Sequence, residues 1–124
     1  MKCNIIATQI LSIALLCLFI GFSLLWSPIV RAADLPIDLT NGATVFEAQC
    51  VGCHINGGNI IRRGKTLKLN VLQKAHLDTE AAIADLVTHG KNNMSAYGDR
   101  LSESEIAEVA AYVLERAQNN WKNE

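Results

Sequence analysis

Residues Cys50, Val51, Gly52, Cys53 and His54 place two thiols three positions apart with an imidazole immediately behind them. Several chemistries can start from such a run. Two close cysteines can form a disulfide or act as a redox dithiol, and with two more ligands they can hold zinc. The adjacent histidine points elsewhere, to covalent attachment of a c-type haem. Near a helix end, the two thiols meet the two vinyl groups along one porphyrin edge, and His54 then faces the iron as its proximal ligand. The dithiol reading needs a βαβ context that is absent here. Zinc would have to recruit His76 and His89, and neither lies in ligand-pair spacing. The run therefore implies one covalent haem c on Cys50 and Cys53, with its iron on His54.

A histidine-ligated haem iron has a sixth position. Left open, it suits oxygen chemistry or catalysis; filled, it suits electron transfer. Met94 lies between Asn93 and Ser95, a polar setting with no apolar stripe for a methionine to complete. It is the expected second axial ligand. His89 is the competing candidate and His76 the third; His89 stands near a helix C-terminus, where its charge is favoured.

The chain that must position these groups is short. At 124 residues and 13.5 kDa it allows one domain and excludes a multidomain enzyme. Its hydrophobic fraction of 50% is high for a small domain, and the excess lies at the front. Ile10 to Trp26 carries no charge; Lys2 precedes it and Val30-Arg31-Ala32 follows. A basic start, an apolar middle and a small-residue exit describe a secretory signal peptide, residues 1–32, cut after Ala32. An uncleaved membrane anchor is the alternative, because the apolar run is long enough to span. A lipoprotein cut before Cys17 fits less well, with bulky Leu15 and Leu16 where small residues belong. Once the leader is removed, residues 33–124 form the domain. Nine basic residues then remain against 12 acidic ones, a net charge of −3, which argues against nucleic acid as a partner. Cys50 and Cys53 become the only cysteines, in a chain that meets an oxidising compartment. The large aromatics are few: Phe46, Tyr97, Tyr112 and Trp121. A buried prosthetic group would supply the missing apolar volume that a small core needs.

The positioning elements read as helices. Gly42 to His54 suits one, with Val45 and Phe46 inward and Thr40 or Asn41 as cap. Asn56-Gly57-Gly58-Asn59 is a turn. Leu67, Leu69, Val71 and Leu72 suggest a short helix. Asp78 or Thr79 opens another, striped by Ala82, Ile83, Leu86 and Val87 and ended by Gly90. Residues 91–100 form a loop around Met94. Ser102-Glu103-Ser104-Glu105 is a capping box that starts a helix with Ile106, Val109, Ala110, Val113 and Leu114 on one side. With no β pattern and no repeat, the class is all-α, with four to five short helices.

In this order the residues resemble the class I c-type cytochromes, most closely cytochrome c6, over essentially all of Ala33 to Trp121. The haem motif Cys50 to His54, the turn Gly57-Gly58-Asn59-Ile60-Ile61, Lys65-Thr66-Leu67, the ligand loop Gly90-Lys91-Asn92-Asn93-Met94 and the helix Ile106 to Leu114 carry the similarity. Gly42 and Phe46 match first-helix positions that pack against Val109 and Tyr112. The resemblance implies a class I cytochrome c fold around one haem and a soluble one-electron carrier rather than an enzyme. Its partners would be redox proteins, the cytochrome bf complex and photosystem I or a terminal oxidase, and it would meet membranes only through those complexes. Its compartment would be a cyanobacterial-type thylakoid lumen or a periplasm. Two alternatives stand beside it: a lower-potential cytochrome c6-like carrier with another acceptor, and a haem sensor or peroxidase-like protein in which Met94 detaches.

Three positions depart from the family pattern. Arg62-Arg63 stands where Asn-Pro is typical, in the stretch whose backbone carbonyl orients the proximal histidine; Arg63 is the expected donor of that carbonyl. Ser95 replaces a proline after Met94, which leaves the ligand loop less rigid. Leu86 replaces a glutamine whose amide lies against the haem and favours its reduced form, so a lowered midpoint potential is expected. Arg62, Arg63, Lys65 and Lys68 also form a basic run suited to steering an acidic partner. Asp99, Glu103, Glu105 and Glu108 form an acidic counterpart.

Overall fold

The computed structural model describes residues 36–122; the leader expected over residues 1–32 lies outside them. Among the described residues five α-helices follow in order: α1 Leu39–Gln49, α2 Val51–His54, α3 Leu69–Lys74, α4 Glu80–His89 and α5 Glu103–Gln118. A 3-10 turn, Ile55–Gly57, follows α2. The strand-like pairing among these residues is an isolated antiparallel bridge between Lys91 and Met94. The all-α class is as the sequence reads, and none of these helices is long and apolar enough to cross a membrane.

The first helix begins earlier than its apolar pattern suggests. The Asp38 carboxylate accepts from the N–H groups of Thr40 (2.8 Å) and Asn41 (3.1 Å), so the cap is Asp38 rather than Thr40 or Asn41. The helix also stops before the haem motif ends. Cys50 sits at φ −116°, and the N–H groups of Cys53 and His54 turn back to the Cys50 carbonyl (3.1 and 2.9 Å). The predicted single helix over 42–54 is thus two helices with a break at Cys50. Past His54 the chain reverses sharply, with Asn56 at φ 51° and Gly57 at φ 68°. Gly57 is required on a second ground: a Cβ there would come within 2.5 Å of the Trp121 ring.

Two later helices start and stop on side-chain signals legible in the sequence. Thr79 caps α4 by accepting from Ala82 N–H at 3.2 Å, and Gly90 follows its last residue. Ser102 and Glu105 close the capping box of α5: Ser102 Oγ accepts from Glu105 N–H (3.2 Å) and Glu105 Oε2 from Ser102 N–H (2.8 Å).

The core lies where α1 and α4 both pack on α5. Val45 and Phe46 from α1, Ile83 and Val87 from α4, Leu72 from α3, and Ile106, Val109, Ala110 and Val113 from α5 are all buried. The α1–α5 crossing is close because Gly42 has no side chain; a Cβ at that point would stand 2.3 Å from the Glu108 carbonyl oxygen. Beside the crossing Phe46, Tyr112 and Trp121 form an aromatic triad with centroids 5.2 to 6.3 Å apart. Of the acidic group Asp99, Glu103, Glu105 and Glu108, the last does not face solvent. It is instead 8% exposed, accepting from Asn41 Nδ2 (2.5 Å) and Ser104 Oγ (3.1 Å). A carboxylate placed at this crossing must be paired to be buried, and α1 supplies the amide.

Candidate functional site

The helices leave a largely apolar cavity of about 520 Å3 between them. Its lining gathers Cys50, Cys53 and His54 from the α1–α2 break, Leu86 from α4 and Met94 from the loop after it. Leu67, Leu72, Val87 and Val109 supply apolar wall. That volume lies within the range of sites that hold a cofactor. Neither His76 nor His89 lines the cavity; His89 is exposed on α4, with Nδ1 3.1 Å from the Asp85 carboxylate.

The donor chemistry fits a covalent haem. Both thiols are free, with Cys50 half-buried and Cys53 exposed. Burial, with the neighbouring Cys53 thiol adding to it, pushes the Cys50 thiol up to about 11. A redox dithiol works through a lowered thiol pKa, whereas the Cys50 thiol is shifted in the opposite sense. His54 Nδ1 lies 2.9 Å from the Gly58 carbonyl oxygen. With its proton on Nδ1, the ring donates to that carbonyl and leaves Nε2 free to ligate a metal. Thr66 Oγ1 is buried in the cavity lining with no hydrogen-bond partner, and Arg62 and Lys65 stand on the same lining. An orphaned hydroxyl and two cations suit the carboxylate arms of an otherwise apolar planar group.

The carbonyl facing His54 is not the one expected. Arg63 is exposed and outside the lining, whereas Arg62 lines it. Two local features explain the change. The left-handed residues Asn56 and Gly57 fold the chain back so that Gly58, only four residues on, meets the imidazole. The Asn59 side chain then closes the following loop on itself, accepting from Ile61 N–H (3.0 Å) and Arg62 N–H (2.7 Å) and donating to the Lys65 carbonyl (3.0 Å). Sequence reasoning also missed Thr66 as a polar group of the site. A hydroxyl beside Lys65 reads as surface, and only tertiary packing buries it.

A helical domain built around such a cavity, with a Cys-x-x-Cys-His run on its wall, is that of a c-type cytochrome. The family profile described as "Cytochrome C oxidase, cbb3-type, subunit III" matches residues 38–113. The chain is 60% identical over 82 residues to a cytochrome c6-like protein of Nostoc sp., covering 66% of this chain and 74% of that one. It is 49% identical over 85 residues to cytochrome c6 of Aphanizomenon flos-aquae, covering 68% of this chain and 98% of that one. The crystal structure of cytochrome c6C from Synechococcus sp. PCC 7002 is similar at a TM-score of 0.63 with 57% identity, covering 64% of this chain and 96% of that one. The chain belongs to the cytochrome c6 family of class I c-type cytochromes, electron carriers with one covalently bound haem c.

Proposed function

We propose that the chain is an exported, soluble one-electron carrier whose haem is attached through Cys50 and Cys53 and ligated by His54 and Met94. The observation that carries this is that the lining of one cavity contains all four groups and neither competing histidine. The haem supplies a one-electron change at its iron; the chain does the rest. The Gly58 carbonyl orients His54, the apolar wall excludes water, and Leu86 sets the polarity beside the haem. Three isoleucines that follow Cys53 in the chain, Ile55, Ile60 and Ile61, are exposed, and the Cys53 carbonyl accepts from Ile60 N–H at 3.0 Å. Arg62, Arg63, Lys65 and Lys68, which follow them, are all exposed. An apolar patch with a basic rim suits brief docking of an acidic redox protein. In this reading the partners are the cytochrome bf complex and photosystem I, or a terminal oxidase. The compartment is a thylakoid lumen or a periplasm, reached by a leader cut after Ala32.

The test is the oxidation rate of the reduced protein by photosystem I membranes as a function of salt. A rate that falls steeply with ionic strength supports the docking face and the partner. Failure to react with photosystem I excludes that partner. A second reading, a lower-potential cytochrome c6-like carrier with a different acceptor, is favoured by Leu86 in the cavity lining and by the similarity to a cytochrome c6-like protein. A midpoint markedly below that of typical cytochrome c6 selects it.

A further inference from the structure

Met94 reaches the cavity from the loop that follows α4. Ser95 leaves the backbone after Met94 without a proline's restraint. Lys91 and Met94 exchange two backbone hydrogen bonds (3.0 and 3.1 Å), which shape the loop without fixing it to the rest of the domain. The backbone N–H groups of Tyr97 and Gly98 anchor its far end on the α4 carbonyls of Val87 (3.0 Å) and Thr88 (3.1 Å). All of these bonds lie within the loop or run to α4.

One hydrogen bond among the described residues runs the other way. Tyr97 Oη donates to the Gln49 carbonyl oxygen at 3.0 Å. Gln49 ends α1 and directly precedes Cys50, and carbonyls in a last helical turn lack intrahelical partners. The Tyr97 ring lines the cavity, and the Arg100 guanidinium lies 4.2 Å from its centroid, which limits the ring's freedom. A tyrosine three residues past the sulfur ligand thus ties that ligand's loop to the helix end that leads into the haem attachment.

We propose that Tyr97 is a positioning residue that holds Met94 in the haem site by latching its loop to the end of α1. This rests on the reading of Met94 as an axial ligand. The latch opposes loop opening, so it sets how readily an outside ligand replaces the Met94 sulfur. Losing one solvent-accessible hydrogen bond changes such an equilibrium by about two- to tenfold.

The experiment uses the oxidised, haem-loaded protein and imidazole as the competing ligand. Tyr97→Phe keeps the ring and removes only the hydroxyl. Thr79→Ala serves as control, since it strips the cap at the N-terminal end of α4, whereas the loop is anchored at Val87 and Thr88 near the other end. The expected result is an imidazole affinity about two- to tenfold higher in Tyr97→Phe, with Thr79→Ala unchanged despite a comparable loss of thermal stability. An unchanged affinity in Tyr97→Phe overturns the latch, and so does an equal rise in both variants. The sulfur-to-iron charge-transfer absorption separates the two levels of the claim. If the unmutated protein lacks that band, the Met94 ligation fails and the latch with it. If the band is present and the affinity of Tyr97→Phe is unmoved, only the latch fails.

Discussion

Replacing Gly42 by alanine sets two opposing effects against each other. Within a helix, alanine is intrinsically favoured over glycine by about 1 kcal/mol. Propensity alone therefore expects Gly42→Ala to stabilise the protein. The structure expects the opposite. The new Cβ would stand 2.3 Å from the Glu108 carbonyl oxygen and 2.7 Å from its carbon, where ordinary contact begins at 3.4 Å. Both obstructing atoms are backbone, so no side chain can swing aside, and α1 must lift from α5 by about an ångström. That loosens Phe46 (2% exposed) and Val109 (1% exposed), which fill the same crossing. Overpacking of this kind costs roughly 3 kcal/mol at the upper end of its usual range. Offset by the gain in propensity, the net loss is about 2 kcal/mol, which for a domain of this size lowers Tm by roughly 8–16 °C. Thermal unfolding of the holoprotein, followed by circular dichroism, measures it. An unchanged or raised Tm would mean that the crossing yields without cost and that its closeness does not hold the core together.

Leu86→Gln should raise the midpoint potential by about 40 mV if its amide makes one hydrogen bond worth ~1 kcal/mol to the reduced site; an optical titration that finds no change would make Leu86 a packing residue only. Trp121→Ala removes packing against Phe46 and the Nε1 bond to the Leu67 carbonyl (3.0 Å), and should cost about 3 kcal/mol in denaturant unfolding. The Ser102 backbone N–H, and after it the Ser102 hydroxyl, hold the Glu105 carboxyl below its ordinary value. Its contribution is therefore present above the unfolded-state value and fades as pH falls through the folded one. Glu105→Gln should show a shallower loss of Tm on acidification than the parent, and identical acid profiles would refute the linkage. N-terminal sequencing of the exported protein should begin at Ala33; retention of the leader would point to an anchored form.

What the sequence made legible was what depends on near neighbours. The Cys50–His54 run, the Thr79 cap, the Ser102–Glu105 box and the inward stripe of α5 are local patterns, and each is found in the fold at that place. Helix limits that depend on competition between neighbours were less legible: Asp38 outcompetes Thr40 and Asn41 as cap, and the break at Cys50 interrupts a pattern that reads as one helix. The least legible features depend on residues far apart in the chain. Glu108 is buried because Asn41 meets it across the α1–α5 crossing, and Tyr97 reaches Gln49 across 48 positions. Resemblance points to the Arg63 carbonyl as the one facing His54, but the positive φ values of Asn56 and Gly57 bring Gly58 there instead.

We propose that one haem, attached at Cys50 and Cys53, is held by His54 and Met94 in both oxidation states and passes single electrons. An optically monitored redox titration of the haem-loaded protein tests this most directly. One reversible one-electron wave is expected, with a six-coordinate low-spin spectrum at both ends. A five-coordinate high-spin spectrum at either end would contradict it, because Met94 would then have left the iron.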